Sequence, residues 1–220
     1  ARYSAAVEKP SYTYATGSNA VSLTVEFTLD MSKLPKSAFT DVTAGAWYYD
    51  AALYAYNKGL MVGTSDTAFG PDVPMTRAML VAVLHRLAGS PSVSGKMPFT
   101  DVEADTWYTE AVLWAYQNDI VAGTSDTTFE PLSNITREQI VAIFSRYTAK
   151  FAPDKAKAAA ELTAFADSAS VSDWAVNDMK WAVAQKIISG SENAGKFYLL
   201  PQDNASRAQV ATILMQYCAL

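Results

Sequence analysis

Apolar residues recur at helical spacing in three separate stretches of the chain. Positions i, i+3, i+4 and i+7 of these stretches are occupied by Leu80, Val83, Leu84 and Leu87; by Ile140, Ile143, Phe144 and Tyr147; and by Val210, Ile213, Leu214 and Tyr217. This spacing places the side chains on one face of an α-helix, so it predicts three amphipathic helices. Because the three apolar faces are equivalent, we expect these helices to pack against one another.

A shorter helix is predicted ahead of each amphipathic one. Two large aromatic residues lie seven positions apart in each case: Trp47 and Tyr54, Trp107 and Trp114, Trp174 and Trp181. Since seven residues are close to two helical turns, both rings of each pair are expected on one helix face. Gly63, Gly123 and Gly190 follow, where a residue with positive φ commonly ends a helix. Each stretch is therefore predicted to be a helix, a loop and a helix.

The N-terminal residues follow a different pattern. Between 21 and 29, apolar residues at Val21, Leu23, Val25, Phe27 and Leu29 alternate with polar ones. This alternation predicts a half-buried β-strand near 21–29. Because one strand is not stable alone, it either pairs with another strand or is the end of an upstream domain, and we favour the second reading. Residues 1–38 are thus expected to be an extension outside the helical region.

The helical pattern is carried by an internal repeat. Residues 39–88 and 99–148 are identical at roughly 23 of about 50 aligned positions. A third, looser copy runs from Phe165-Ala166-Asp167 to Ser206-Arg207, with a lengthened turn at 192–195. We place copy 1 at 39–90, copy 2 at 99–150 and copy 3 at 163–220. Because a unit of a repeat buries its apolar face against its neighbours, 39–220 is predicted to be one folded unit.

Composition and charge narrow the function. A hydrophobic content of 50% with 12% aromatics is ample for a packed core, and a net charge of −5 argues against binding nucleic acid or anionic lipid. One cysteine cannot form an internal disulfide, and with one histidine it cannot form a Cys/His metal cluster. No apolar run approaches the roughly 20 residues needed to cross a bilayer. We therefore expect no metal, no cofactor and no membrane insertion. Any anionic ligand must be held by a few placed cations.

Each amphipathic helix begins with a hydroxyl residue and an arginine, which makes its start a candidate anion site. The hydroxyl can cap the helix, and the unpaired first-turn amides together with the helix dipole favour an anion. The guanidinium can then bind a carboxylate through two parallel hydrogen bonds. In the alternative reading, the arginines pair with the aspartates near each copy's start. Asp66 and Asp126 are expected to bond the backbone of their own turns. The pairs are Thr76-Arg77, Thr136-Arg137 and Ser206-Arg207, and the aspartates are Asp41, Asp101 and Asp167.

These residues resemble a known family. The order Phe-x-Asp-Val, Trp-Tyr, Gly-Thr-Ser-Asp, Phe-x-Pro and Thr-Arg-x-Gln is similar to the S-layer homology motif, here in three tandem copies over 39–220. The resemblance implies an all-α, monomeric pseudo-threefold bundle with three projecting prongs. It also implies an extracellular module that holds a surface protein non-covalently on the bacterial cell envelope. The partner implied is a secondary cell wall polysaccharide, commonly pyruvylated, or modified peptidoglycan, bound in grooves between copies.

The resemblance also assigns the ligand-binding residues. They are Arg77, Arg137, Arg207, Asp41, Asp101, Asp167, Trp47, Trp107, Trp174, Gly63, Gly123, Gly190, Thr76, Thr136 and Ser206. For the three tryptophans, core packing and a place in the groove wall both stay open. No copy keeps the final glutamate of the family motif, and copy 3 has serine in place of threonine, so we expect unequal sites with the third the weakest.

Two other functions are compatible with a helical repeat. One is an open protein-interaction scaffold of the solenoid type. The other is a carbohydrate-active enzyme that uses two carboxylates, which would require unrepeated acids in a cleft. Because the strongest candidate positions recur in every copy, the sequence favours a binding module without catalysis.

Overall fold

The computed structural model describes residues 12–16, 19–23 and 39–220. Its contacts divide the chain into two compact units, 1–36 and 37–220. In the first unit the described residues form an antiparallel hairpin of β1 (Tyr12–Thr16) and β2 (Asn19–Leu23). The strand predicted near 21–29 coincides with β2 at 21–23, and its remainder lies outside the described residues.

Residues 39–220 contain six α-helices, two in each copy. Copy 1 contains α1 (Tyr49–Asn57) and α2 (Arg77–Leu87), copy 2 contains α3 (Thr109–Gln117) and α4 (Arg137–Phe151), and copy 3 contains α5 (Val176–Ala184) and α6 (Arg207–Cys218). Short 3₁₀ turns occupy Pro153–Lys155, Ser168–Ser170 and Asp173–Ala175. The helix-loop-helix prediction is therefore confirmed for every copy.

The loop of copy 3 carries a second hairpin where the sequence predicts a lengthened turn. Strands β3 (Ser191–Asn193) and β4 (Lys196–Tyr198) pair antiparallel. The turn between them is made by Ala194 and Gly195, which both have positive φ. The extra residues of this copy thus lengthen its loop and leave the helices unchanged.

The helices pack in a cyclic order. α3 contacts α2, α5 contacts α4, and α1 contacts α6, so the first helix of each copy lies against the second helix of the preceding copy. The predicted apolar faces are turned inward: every stripe residue is buried except the partly buried Leu87 and Tyr217. Phe144 and Tyr217, whose ring centroids are 5.0 Å apart, join α4 to α6.

A triangle of backbone hydrogen bonds joins the three copies just ahead of α2, α4 and α6. The amide of Met75 donates to the carbonyl of Ala205 (2.8 Å), that of Ala205 to Ile135 (3.1 Å), and that of Ile135 to Met75 (2.9 Å). All three side chains are fully buried. Copy 3 is therefore bonded to copy 1 in the same way that copy 1 is bonded to copy 2.

The predicted helix caps are present. The hydroxyls of Thr76, Thr136 and Ser206 accept the amide three residues later in each helix, at 3.3 to 3.4 Å. In α4 and α6 the side chains of Gln139 and Gln209 bond back to the cap residue and complete a capping box.

The glycine prediction is wrong in its mechanism. Of the three predicted glycines only Gly190 has positive φ, at +79°, and it lies directly before β3. The left-handed residue after the first helix comes earlier in every copy, at Gly59, Asp119 and Lys186. Gly63 and Gly123 are needed because a Cβ there would lie 2.4 Å and 2.2 Å from the carbonyl oxygen two residues on, closer than real contacts allow.

The aromatic pairs do not share a helix face. Trp114 and Trp181 are buried in the core and Tyr54 is partly buried, whereas Trp47, Trp107 and Trp174 are among the most exposed large apolar residues. The reason is that α1, α3 and α5 begin after these tryptophans, so helical spacing does not extend back to them.

Candidate functional site

Three surface grooves lie between the copies, and each is lined by residues of all three. We name each groove by the copy that supplies its glycine loop and second-helix wall. Groove 1 contains Gly63, Arg207 and Trp107, with a volume of about 320 Å³. Groove 2 contains Gly123, Arg77 and Trp174, at about 400 Å³. Groove 3 contains Gly190, Arg137 and Trp47, at about 300 Å³.

The tryptophans form open edges of these grooves. Trp47, Trp107 and Trp174 are exposed over 66%, 57% and 53% of their surface. Trp47 and Trp107 each pack edge-on against the tyrosine that follows, with centroids 5.3 Å and 5.0 Å apart. Of the two locations that the sequence left open for the tryptophans, they therefore occupy the groove wall and not the core. An exposed indole offers a flat apolar face at little cost in protein stability.

The arginines join neighbouring copies. Arg77, Arg137 and Arg207 are only 7%, 7% and 5% exposed. Their Nε groups donate to the carbonyls of the apolar residues that pin the next copy's loop: Phe129 (2.8 Å), Leu199 (2.7 Å) and Phe69 (2.9 Å) respectively. The guanidinium groups of Arg77 and Arg207 also lie over the rings of Phe129 and Phe69. These side chains thus contribute to folding whatever they bind.

Part of each guanidinium remains open to the groove. The Nη2 group of Arg77 donates to the carbonyl of Ala122 and that of Arg207 to Val62, but the Nη1 groups of the three arginines bond no described residue. No buried side-chain nitrogen or oxygen lacks a partner in the described part of the chain, so these Nη1 groups are accessible to solvent. Burial lowers the pKa of all three arginines, and nearby carboxylates oppose that shift. Arginine nevertheless stays charged at neutral pH.

The aspartates hold the loops and do not line the grooves. Asp41, Asp101 and Asp167 each accept two consecutive loop amides, at 2.8 Å and 2.7 Å in every copy. The direct pairing of arginine with aspartate, which was the alternative reading of the sequence, does not occur. The two are linked through one peptide instead: the amide of Phe129 donates to Asp101 and its carbonyl accepts from Arg77.

The prediction of unpaired helix-start amides is wrong. At the start of α2 the amides of Arg77 and Ala78 donate to the carbonyls of Ser133 (3.0 Å) and Pro131 (2.9 Å) in copy 2. The same two bonds recur at the starts of α4 and α6. Because the cap hydroxyls of Thr76, Thr136 and Ser206 occupy the third amide, these helix starts offer no free donors to an anion.

The turn bonds predicted for Asp66 and Asp126 are made by their neighbours. Ser65 Oγ accepts the amides of residues 67 and 68, and Ser125 Oγ does the same in copy 2. Both aspartates are exposed and bond no described residue. The serine is thus the residue that shapes the loop beside grooves 1 and 2.

Two wall positions were missed by the sequence reasoning. One is occupied by Met79, Gln139 and Gln209 and the other by Arg86, Arg146 and Gln216, in grooves 1, 2 and 3 respectively. They lie two and nine residues after the arginine of the same helix, so both project towards the groove. The recurrence of Arg86 at Arg146 was visible in the sequence, and its loss at Gln216 was the signal of a different third groove.

The remaining singular residues have structural surroundings. His85 is buried, with Nε2 2.9 Å from the carbonyl of Pro91. Burial raises the pKa of the Cys218 thiol. Over the described residues, no three His, Cys, Asp or Glu side chains are grouped to hold a metal ion. In the same part of the chain no helix has both the length and the apolar character to cross a membrane.

Comparison with known proteins gives a family match that coincides with the repeat. The model of the S-layer homology domain matches residues 38–78, 98–141 and 164–211. These three segments contain Arg77, Arg137 and Arg207 and the tryptophan and glycine of each groove, whereas Arg86 and Arg146 lie beyond them.

Individual relatives match most of this chain but only a small part of their own length. The chain is 31% identical to the surface-layer 125 kDa protein of Lysinibacillus sphaericus over 71% of its own length and 13% of that protein's. It is 29% identical to an endoglucanase of Bacillus sp. (strain KSM-635), over 83% of its length and 19% of the enzyme's. An amylopullulanase of Thermoanaerobacterium thermosulfurigenes is 30% identical over 76% of the chain and 9% of that enzyme. The chain thus spans less than a fifth of the length of these relatives.

Proposed function

The chain belongs to the S-layer homology family, and we propose that it anchors a surface protein non-covalently to the bacterial cell wall. Its ligand is an anionic wall polysaccharide, of the pyruvylated kind, bound in grooves 1 to 3. The observation that carries the proposal is that each groove brings together an arginine, a glycine loop and an exposed tryptophan from three different copies.

The grooves have the chemistry that such a ligand needs. A pyruvate ketal presents a carboxylate, which an accessible guanidinium binds by charge-assisted hydrogen bonds. Sugar rings present flat apolar faces, which an exposed indole such as that of Trp47 can cover. Since the protein carries a net charge of −5, these few placed cations supply the attraction that the surface as a whole lacks.

The architecture we propose is a pseudo-threefold bundle with the loops projecting as three prongs. It is supported by the cyclic helix contacts and by the hydrogen-bond triangle of Met75, Ile135 and Ala205. The bond between copy 3 and copy 1 argues against an open solenoid, in which the terminal copies would not meet. A closed monomer with three similar grooves suits a polymer, whose repeating units can occupy more than one groove at once.

Catalysis is not part of the proposal. The arginine, glycine and tryptophan of the grooves recur in every copy, whereas a glycosidase uses one pair of carboxylates at defined separation. The relatives named as enzymes match over only 19% and 9% of their length, so their names describe proteins much larger than the shared region.

The test is titration of purified wall polymer, with and without its pyruvate, against the full chain by calorimetry. The tryptophans are better probes than the arginines, because removing a buried arginine also weakens folding. We expect Trp47→Ala, Trp107→Ala and Trp174→Ala each to weaken binding by up to about tenfold without loss of stability. Leu132→Ala is the control, since Leu132 is 67% exposed and lies outside the grooves.

Two outcomes would contradict the proposal in different ways. If a variant lacking all three tryptophans bound the polymer like wild type, the grooves would not be the site. If polymer stripped of pyruvate bound as tightly as the intact polymer, anchoring would stand and the pyruvate specificity would be wrong.

A further inference from the structure

The three grooves differ at the two wall positions that repeat at fixed places in α2, α4 and α6. Groove 1 has Met79 and Arg86, groove 2 has Gln139 and Arg146, and groove 3 has Gln209 and Gln216. The two wall positions thus hold an apolar residue and a cation in groove 1, an amide and a cation in groove 2, and two amides in groove 3. Three copies of one site should therefore recognise different parts of a polymer.

Groove 1 combines apolar walls with two guanidinium groups. Met61, Met75, Met79 and Val83 line it together with Arg86 and Arg207. Met61 and Met75 are fully buried, and Arg86 is held in place by a 3.1 Å bond from its Nη1 to the carbonyl of Leu60. Cations set in apolar, weakly polarisable walls attract an anion more strongly than the same cations in water.

Fewer carboxylates offset the arginine of groove 1. In groove 2 the negative charges of Glu130 and Asp101 act on Arg77. In groove 3 those of Asp203 and Asp167 act on Arg137. Among the described residues, only Asp41 acts in this way on Arg207. The sequence accounts for both differences, because Glu130 of copy 2 corresponds to Gly70 in copy 1 and Asp203 of copy 3 corresponds to Val73.

Resting on the proposed function, we infer that groove 1 is the principal seat of the pyruvate ketal, while groove 3 takes an uncharged sugar of the same polymer. A pyruvate ketal carries a methyl group and a carboxylate on one carbon, so it needs an apolar contact and a cation side by side. Groove 1 offers that pair in Met79 and Arg86. Groove 3 offers the amides of Gln209 and Gln216, which suit hydroxyl groups.

The experiment is an NMR titration of the full chain with a monosaccharide that carries a pyruvate ketal. The indole N–H signals of Trp107, Trp174 and Trp47 report grooves 1, 2 and 3 separately, and each is assigned from its Trp→Phe variant. The parent sugar and the methyl ester of the ketal are the control ligands, since the ester keeps the shape and loses the charge. We expect the Trp107 signal to saturate at the lowest concentration of the ketal. With the ester, saturation should need a concentration about tenfold higher.

Matched substitutions test whether the two wall positions set the ligand preference of each groove. Met79→Gln converts the groove 1 position to the residue of groove 2 and should weaken ketal binding at Trp107 by about tenfold, leaving Trp174 and Trp47 unchanged. Gln216→Arg adds a cation to groove 3, so the Trp47 signal should then shift when the ketal is added. The exposed Leu132→Ala should change none of the three signals.

The inference and the proposed function fail in different ways. If purified wall polymer moves none of the three indoles, the proposed function itself is wrong. If the polymer moves them but Trp107 does not lead with the ketal, if the ketal moves none, or if Met79→Gln leaves groove 1 affinity intact, the assignment of groove 1 is overturned while the anchoring function stands.

Discussion

Asp101→Ala removes the bonds that hold the loop of copy 2. The Asp101 carboxylate accepts the amide of Phe129 at 2.8 Å and that of Glu130 at 2.7 Å. The Phe129 ring is fully buried, and its carbonyl accepts the hydrogen bond of Arg77 from copy 1. Loss of the carboxylate therefore loosens both the loop and the contact between copies.

The cost follows from the two bonds. A hydrogen bond to a charged group contributes about 1.5–3 kcal/mol, so two give about 3–6 kcal/mol. Asp101 is partly exposed, and water can replace some of what is lost, so we expect about 3 kcal/mol. With a urea dependence of about 2–3 kcal/mol per molar, the unfolding midpoint should fall by about 1–1.5 M.

Urea unfolding of the full chain, followed by tryptophan fluorescence, measures this shift. All tryptophans lie within 37–220, so the signal reports that unit. Asp126→Ala is the control, because it removes the same charge from the same copy at an exposed residue that bonds no described group. Its effect should stay within about 0.5 kcal/mol.

An equal loss of stability in both variants, or a cost below about 1 kcal/mol for Asp101→Ala, would show that these two hydrogen bonds do not hold the loop. Asp41→Ala and Asp167→Ala provide internal replicates, since each of these carboxylates accepts two amides at the same distances. A large loss at one copy and none at the others would show that the shared pair of bonds is not the cause.

Three further outcomes are expected. Gly123→Ala should destabilise the chain by about 2–3 kcal/mol in urea, because its Cβ would lie 2.2 Å from the carbonyl of Ser125; an unchanged midpoint would contradict this. Glu138→Ala should lower the thermal midpoint, at a cost of about 3 kcal/mol, because this buried carboxylate accepts Ser172 N and Oγ and a Gln202 amide between copies 2 and 3; Glu138→Gln should recover part of the loss. Burial raises the pKa of Tyr147 to about 12 from 10.0, so the unfolded chain loses this proton first and stability should fall as the pH rises through that interval; a Tyr147→Phe variant with the same alkaline slope would contradict it.

Local features were predictable because their causes are local. The helical spacing of residues such as Ile140 and Ile143 identified the buried face of α4, and both residues are buried. The caps at Thr136 and Ser206 follow from hydroxyl chemistry within one turn, and both formed. The prediction that each groove tryptophan shares a helix face with the aromatic residue seven positions later was wrong for a related reason. Helical spacing applies only within a helix, and Trp47 precedes α1.

The candidate site was predictable as a set of residues but not as an arrangement. Repetition singled out the arginine, glycine and tryptophan of each copy, and these are the residues that meet in the grooves. The aspartates and cap hydroxyls repeat just as faithfully, yet Asp101 and Thr136 serve folding. Repetition records that a position matters in every copy and cannot separate a groove residue from a loop support.

From the sequence alone it follows that three helix-loop-helix copies form one unit and which residues recur in them. The combination of residues in each groove is visible only in the folded chain, where Arg207 comes from copy 3, Gly63 from copy 1 and Trp107 from copy 2 in groove 1. This is because hydrogen bonds such as that from Arg207 to Phe69 link the first and last copies and exist only once copy 3 meets copy 1. A spacing along the chain carries no information about that closure.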